Sequence, residues 1–150
     1  MKKTVFLFLL LQCFFASSQD FNFQYDHYSV IVKDSDKSAK FYGTILKLKE
    51  TPHPTLAKGF RWFIINDNSQ IHLIQKENPE YKKHKSVHLC LATQNLKAFT
   101  KHLKENNIPY YDWPGNENEV TVRADGVKQI YFQDPDGYWI EVNDAKHYKI

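Results

Sequence analysis

Residues 129–143 read QIYFQDPDGYWIEVN, and the fold turns on how this stretch is read. Ile130, Tyr131 and Phe132 form a β-branched and aromatic arm. Asp134-Pro135-Asp136-Gly137 then makes a strong turn signal, because proline presets φ at the second turn position and glycine tolerates positive φ. Beyond the turn the chain alternates. Tyr138, Ile140 and Val142 point one way, and Trp139, Glu141 and Asn143 the other. The stretch therefore predicts two antiparallel strands. A carboxylate in the middle of so apolar a strand is costly to bury unless charged or donor groups meet it, so Glu141 marks a place where chemistry is to be sought.

Working back from this hairpin, Val120 to Arg123 and Lys128 to Gln133 flank an Asp125-Gly126 turn, a further hairpin signal. Tyr110 to Trp113 reads as an edge strand. Before it, Leu96, Phe99 and Leu103 form a helical stripe, with Thr93 as a candidate cap and Pro109 preventing continuation. Ser86 to Ala92, SVHLCLA, opens this half as a strand. The first half has the same plan. Tyr25 to Val32, YDHYSVIV, is a strand, followed by cap candidates Asp34, Ser35 and Asp36. A helix striped by Ala39, Phe41, Tyr42, Ile45 and Leu46 ends near Leu48. A proline-interrupted edge follows, and then the strands FRWFIIN (60–66) and QIHLIQ (70–75). Lys76 to Lys85 is charged and contains Pro79, as a linker between halves would be. Strand, helix and three strands thus occur twice, over about residues 25–77 and 86–144, within a single domain spanning 19–150. The class is α+β, with paired βαβββ modules.

Four ligand-type side chains fall at equivalent places in this repeat. His27 and His88 stand in the opening strands, and His72 and Glu141 in the closing ones. Taken singly, a strand histidine is more often an ordinary core or surface residue, and Glu141 alone could pair with a Lys or Arg. Together they suit a three-histidine, one-carboxylate site for one divalent ion (zinc, nickel, iron, cobalt or manganese). Ser29 and Cys90 on the same faces are small and leave room for a substrate. Arg61, Arg123 and Gln129 are candidates to contact an anionic substrate, although a surface salt bridge explains an arginine equally well. His53, His84, His102 and His147 lie in loops, on a helix or in the tail, and read as solvated.

Composition narrows the partners. Lys2 and Lys3, the apolar run Val5 to Leu11 and Ala16-Ser17-Ser18 have the form of an export signal cut after Ser18. The run is short for a membrane span. Cys13 would allow a lipoprotein, but Gln12 before it is a poor residue for such processing. Without the signal, 18 of the 20 basic residues remain against 17 acidic ones. So small a net charge is no footprint for nucleic acid or an anionic membrane. Cys90 would be the one remaining thiol, so an exported, periplasmic or secreted domain would be held by its core and not by a disulfide.

The stretches DHYSVIVKDSDKSAKFY, QIHLIQ, SVHLCLATQNLKAF and IYFQDPDGYWIEV resemble the vicinal oxygen chelate superfamily, which includes glyoxalase I, bleomycin-binding proteins, fosfomycin-resistance thiol transferases and extradiol dioxygenases. The resemblance covers about residues 25–144. It implies modules that form an open, half-closed barrel around one divalent ion. It implies that His27, His88 and Glu141 are ligands, and that a small molecule binds through neighbouring oxygens. His72 falls where glyoxalase I usually has a glutamate, which leaves Glu141 to move the substrate proton. A glyoxalase-type lyase or isomerase is thus the expected activity, beside extradiol oxygen chemistry at iron or non-catalytic binding of an antibiotic or other small molecule. Modules of this superfamily often pair across a two-fold axis, which implies a homodimer.

Overall fold

In a computed structural model, which describes residues 25–67, 69–77 and 83–146, the chain forms two four-stranded sheets and two helices. The first module is β1 (His27–Val32), α1 (Ser35–Thr44), β2 (Lys49–Thr51), β3 (Phe60–Asn66) and β4 (Ser69–Gln75). The second is β5 (His88–Ala92), α2 (Leu96–Glu105), β6 (Thr121–Val122), β7 (Lys128–Gln133) and β8 (Trp139–Asn143). The strand orders are β1-β4-β3-β2 and β5-β8-β7-β6. In each sheet the opening strand runs parallel to the closing one, and the remaining pairs are antiparallel. The predicted α+β class and module plan are therefore what is observed, with open sheets and no closed barrel. The proposed signal (1–18), the lead-in at 20–24 and His147 lie outside the described residues.

Alternation decides the faces. Along β4, Ser69, Ile71 and Leu73 are buried while Gln70, His72 and Ile74 are partly exposed. Val30 and Val32 of β1 and Phe63 of β3 join the buried side. Ala39, Phe41, Tyr42 and Ile45 of the α1 region are buried, as are Leu96 and Leu103 of α2, and one core unites both modules. Phe132, fully buried, meets Phe41 at 6.3 Å and Phe99 at 5.7 Å between ring centroids. Burial of a side chain of this kind contributes about 1.5–3 kcal/mol, so the apolar faces are spent on the helices. The polar faces, which carry the ligand candidates, are turned away from them.

Local chemistry shifted several boundaries. The α1 region ends earlier than Leu48: Ile45 caps it, and Lys47 adopts a left-handed φ of 53°. Asn95, and not Thr93, caps α2, accepting from the Ala98 N–H at 3.0 Å; the Thr93 hydroxyl accepts from the Asn95 N–H instead. Strand β5 begins at His88, two residues later than Ser86. The edge expected at Tyr110 to Trp113 reduces to bridges from Tyr111 to Glu117 and Tyr131, since the loop after it folds on itself around the Asp112 carboxylate.

The 134–137 turn has a second task. Gly137 takes a φ of +84°, where a side chain would be strained. Asp136 accepts from the Lys33 N–H at 3.0 Å and the Ser38 hydroxyl at 2.8 Å, and Asp134 from the Tyr42 hydroxyl at 2.9 Å. The turn of the second module is thereby fastened to the first helix.

Candidate metal centre

The register makes the two modules strictly comparable. Ser29 pairs with His72 and Trp62 pairs with His72, forming one row across the first sheet. Cys90 pairs with Glu141 and Tyr131 pairs with Glu141, forming the same row in the second. His27 stands two residues before Ser29, as His88 does before Cys90. The four ligand candidates thus occupy equivalent positions.

In the first sheet, His27, His72 and Trp62 form a stack. The His27 and His72 rings are 4.3 Å apart and 14° from parallel, and those of His72 and Trp62 are 4.1 Å apart and 8° from parallel. His53 meets the Trp62 ring edge-on at 4.6 Å, so it is packed against the stack and not simply solvated. The Nδ1 of His27 faces the Asp26 carboxylate at 2.5 Å, and the Nε2 of His72 faces the Gln70 side-chain oxygen at 2.9 Å. Burial, with the nearby His27 imidazole, pulls His72 below its ordinary value, favouring the neutral ring that can donate a lone pair. A cleft of about 840 Å³ opens here, bordered by Asp26, Trp62, Ile64 and Gln70.

In the second sheet, the Nε2 of His88 lies 3.2 Å from Oε2 of Glu141. Its Nδ1 lies 2.7 Å from the Lys85 carbonyl oxygen. A carbonyl only accepts, so Nδ1 carries a proton, while Nε2 faces a carboxylate oxygen that is equally an acceptor. Glu141 is buried at 5 % exposure but fully engaged. Asn143 donates to Oε1 at 2.8 Å, the Cys90 thiol to Oε1 at 3.2 Å, and the Tyr131 hydroxyl to Oε2 at 2.8 Å. Burial alone would push the Glu141 carboxyl up. These donors, with the neighbouring His88 imidazole, outweigh it and hold the group below the usual range, so it is an anion at neutral pH. Burial and the adjoining carboxylate push the Cys90 thiol up to about 12.

Each module therefore brings one pair together: His27 with His72, and His88 with Glu141. Among the described residues, no three His, Cys, Asp or Glu side chains gather as a group able to hold a metal. Gln129 is buried beside the second pair and donates to the Tyr131 hydroxyl at 2.6 Å. Arg123 pairs with Asp125 in the β6–β7 turn, and its charge still reaches Cys90. Arg61 lies on the face opposite Trp62, ion-paired to Glu50 and Asp36. It borders a separate cleft of about 850 Å³ that none of the four ligand candidates lines.

Sequence reading passed over Tyr131 and Asn143 as site residues. Their signal was present: counting back across the 134–137 turn sets Tyr131 opposite Glu141, and Asn143 is the next residue on the Glu141 face of β8.

Comparison with other proteins adds to this geometry. The sequence model of the Glyoxalase/Bleomycin resistance protein/Dioxygenase superfamily matches residues 24–142. Protein YwbC of Bacillus subtilis is 29 % identical over 122 residues, which cover 77 % of this chain and 93 % of YwbC. Glyoxylase I 4 of Arabidopsis thaliana is 25 % identical over 123 residues, covering 78 % of this chain and 68 % of that protein. The crystal structure of a glyoxalase/dioxygenase from Nostoc punctiforme superposes with a TM-score of 0.62 at 25 % identity, over 81 % of this chain and 90 % of that one.

Proposed function

Because the chain belongs to the Glyoxalase/Bleomycin resistance protein/Dioxygenase superfamily, whose members act on small molecules and usually bind a divalent metal, we propose that it is a metal-dependent enzyme of glyoxalase type. The observation that carries this reading is the His88–Glu141 pair. Two donor atoms 3.2 Å apart have the spacing of neighbouring ligands on an ion with bonds of about 2.1 Å. The proton on the far nitrogen of His88 and the ionised state of Glu141 are what such ligands need. His27 is set in the same way by Asp26. The donor set therefore fits a divalent ion, with His27, His72, His88 and Glu141 as the residues that would hold it. Bound there, the ion supplies Lewis acidity to two neighbouring oxygens of a substrate.

The chain's own residues do the rest. Tyr131, Asn143 and Cys90 orient the Glu141 carboxylate and keep it ionised. Glu141 is the group to take up and return a substrate proton, and release of one of its donors would raise its basicity. The two pairs have to meet, so we take the site to be completed by a second copy, one copy's His27 and His72 facing the other's His88 and Glu141 in a homodimer. We also read residues 1–18 as an export signal; a mature chain beginning at Gln19, found by mass spectrometry, is the expected result.

A second reading has its own support. The Nε2 of His72 already faces Gln70, leaving two histidines and one carboxylate poised, a set that suits oxygen chemistry at ferrous iron. Among the described residues, no helix is long and apolar enough to cross a membrane.

Metal content of the wild type beside Glu141→Ala and His72→Ala tests the proposal. About one ion per chain, reduced in both variants, is expected, with hemithioacetal isomerisation lost in Glu141→Gln. Isomerisation that survives Glu141→Gln removes the proton role. Metal loss in Glu141→Ala alone, with catechol-dependent oxygen uptake, selects the iron reading.

A further inference from the structure

The segment that leads into β5 has little apolar surface to bury. His84, Ser86 and Val87 are exposed, Val87 at 72 %. Yet the Lys85 carbonyl in this segment is the acceptor for Nδ1 of His88 and sets how the ring is turned toward Glu141. Something has to hold that carbonyl in place, and the side chain of the same residue does so. The Lys85 ammonium sits in a box of three aromatic rings, 5.0 Å from the centroid of Trp139, 5.1 Å from Tyr131 and 5.8 Å from Trp113. It also donates to the carbonyl oxygens of Asp112 at 2.7 Å and Trp113 at 3.0 Å. A cation against aromatic faces is held more firmly than one at an open surface. The box is buttressed in turn, with Trp113 against Tyr131 at 5.4 Å and Tyr111 against Trp139 at 6.2 Å.

We infer that Lys85 is a positioning residue for the second half-site: its caged ammonium anchors the carbonyl that sets His88, and braces the Tyr131 ring whose hydroxyl holds Glu141. The metal consequence rests on the reading of His88 and Glu141 given above; the effect on His88 does not. Lys85 touches no reacting atom. Removing the charge frees the segment, the carbonyl drifts, and Nδ1 of His88 loses the acceptor that turns the ring toward Glu141. An outer partner of a metal-binding histidine of this kind is worth about 10–100-fold in affinity.

The test uses proton NMR of the metal-free protein to read the hydrogen bond from Nδ1 of His88 to the Lys85 carbonyl, through the exchange of the Nδ1 proton with water. The wild type is expected to show a slowly exchanging Nδ1 proton on His88. Lys85→Met should expose that proton to rapid exchange with melting temperature little changed, and lower zinc affinity at least about tenfold. Lys85→Arg, which keeps a cation among the rings, should restore both. Trp113→Ala, at a side chain on a residue 46 % exposed, opens one wall of the box without entering the core and should speed the exchange in the same direction. Should Lys85→Met fold poorly, this second variant decides. If Lys85→Met or Trp113→Ala leaves the Nδ1 proton of His88 as slow to exchange as in the wild type, the inference is overturned. A wild type that binds no zinc defeats the metal reading, while the exchange of the Nδ1 proton still decides the role of Lys85.

Discussion

Tyr42 on the first helix donates its hydroxyl to the buried carboxylate of Asp134 at 2.9 Å, across 92 residues of sequence. The bond ties the first module to the turn between β7 and β8, whose second strand carries Glu141. Tyr42 is 1 % exposed and Asp134 5 %, so neither group has water to fall back on. The same carboxylate accepts from the backbone N–H groups of Asp136 and Tyr138. The placement of the catalytic candidate is thus coupled to the packing of a helix from the other half.

A pH dependence follows from this bond. Burial raises Asp134 above its ordinary 3.8, against the pull of its donors, and nearby Asp136 adds to the rise. The folded state therefore holds this proton more tightly than the unfolded one. The associated stability is fully present below the unfolded value and is lost as pH rises through the folded value. Asp134→Asn keeps the size and an acceptor for the two backbone donors while removing the titration. Melting temperatures of both proteins, followed upward from about pH 3.5, should show the wild type losing ground relative to the variant. A constant difference between the two curves would refute the coupling.

The homodimer reading makes a sharper prediction through complementation. His27→Ala and Glu141→Ala should each bind no metal as pure dimers. In a mixed dimer, one site loses both ligands and the other keeps its full set. Random exchange of subunits should then restore about a quarter of wild-type metal content, one ion per mixed dimer. Native mass spectrometry checks both exchange and loading. Mixed dimers that stay empty would place all four ligands in one chain or dissolve the site.

How much of this was readable beforehand follows from the range of the interactions. Period-two alternation placed His72 and Glu141 on one face of their strands, and the strand-helix-three-strand repeat made His27 equivalent to His88; both rest on neighbours in sequence. The Asp134–Gly137 turn was legible for the same reason. Its docking on Lys33, Ser38 and Tyr42 was not, because those contacts span about a hundred residues and no local pattern announces them. Arg61 looked like a substrate contact until its partners Glu50 and Asp36 arrived from other elements. Lys85 carried no signal at all: a lysine in a charged segment reads as solvated, and only the fold brings three aromatic rings around it.

Cys90 supplies a chemical probe of the same carboxylate. Its thiol donates to Glu141 at 3.2 Å and accepts from Asn143 at 3.2 Å. The residue is exposed, so a reagent can reach it. Burial of the sulfur and the Glu141 charge nevertheless push the thiol up to about 12, and little thiolate exists at neutral pH. Because the thiolate is the nucleophile, and a higher pKa recovers only part of the loss through greater nucleophilicity, alkylation near pH 8 should run at least about tenfold slower than for a free cysteine. Glu141→Gln removes the charge while leaving an acceptor of the same shape. Iodoacetamide should then modify Cys90 faster, with little change in melting temperature. Equal rates in the two proteins would mean that the thiol does not sense Glu141, and would take away Cys90 as one of the donors that hold the carboxylate ionised.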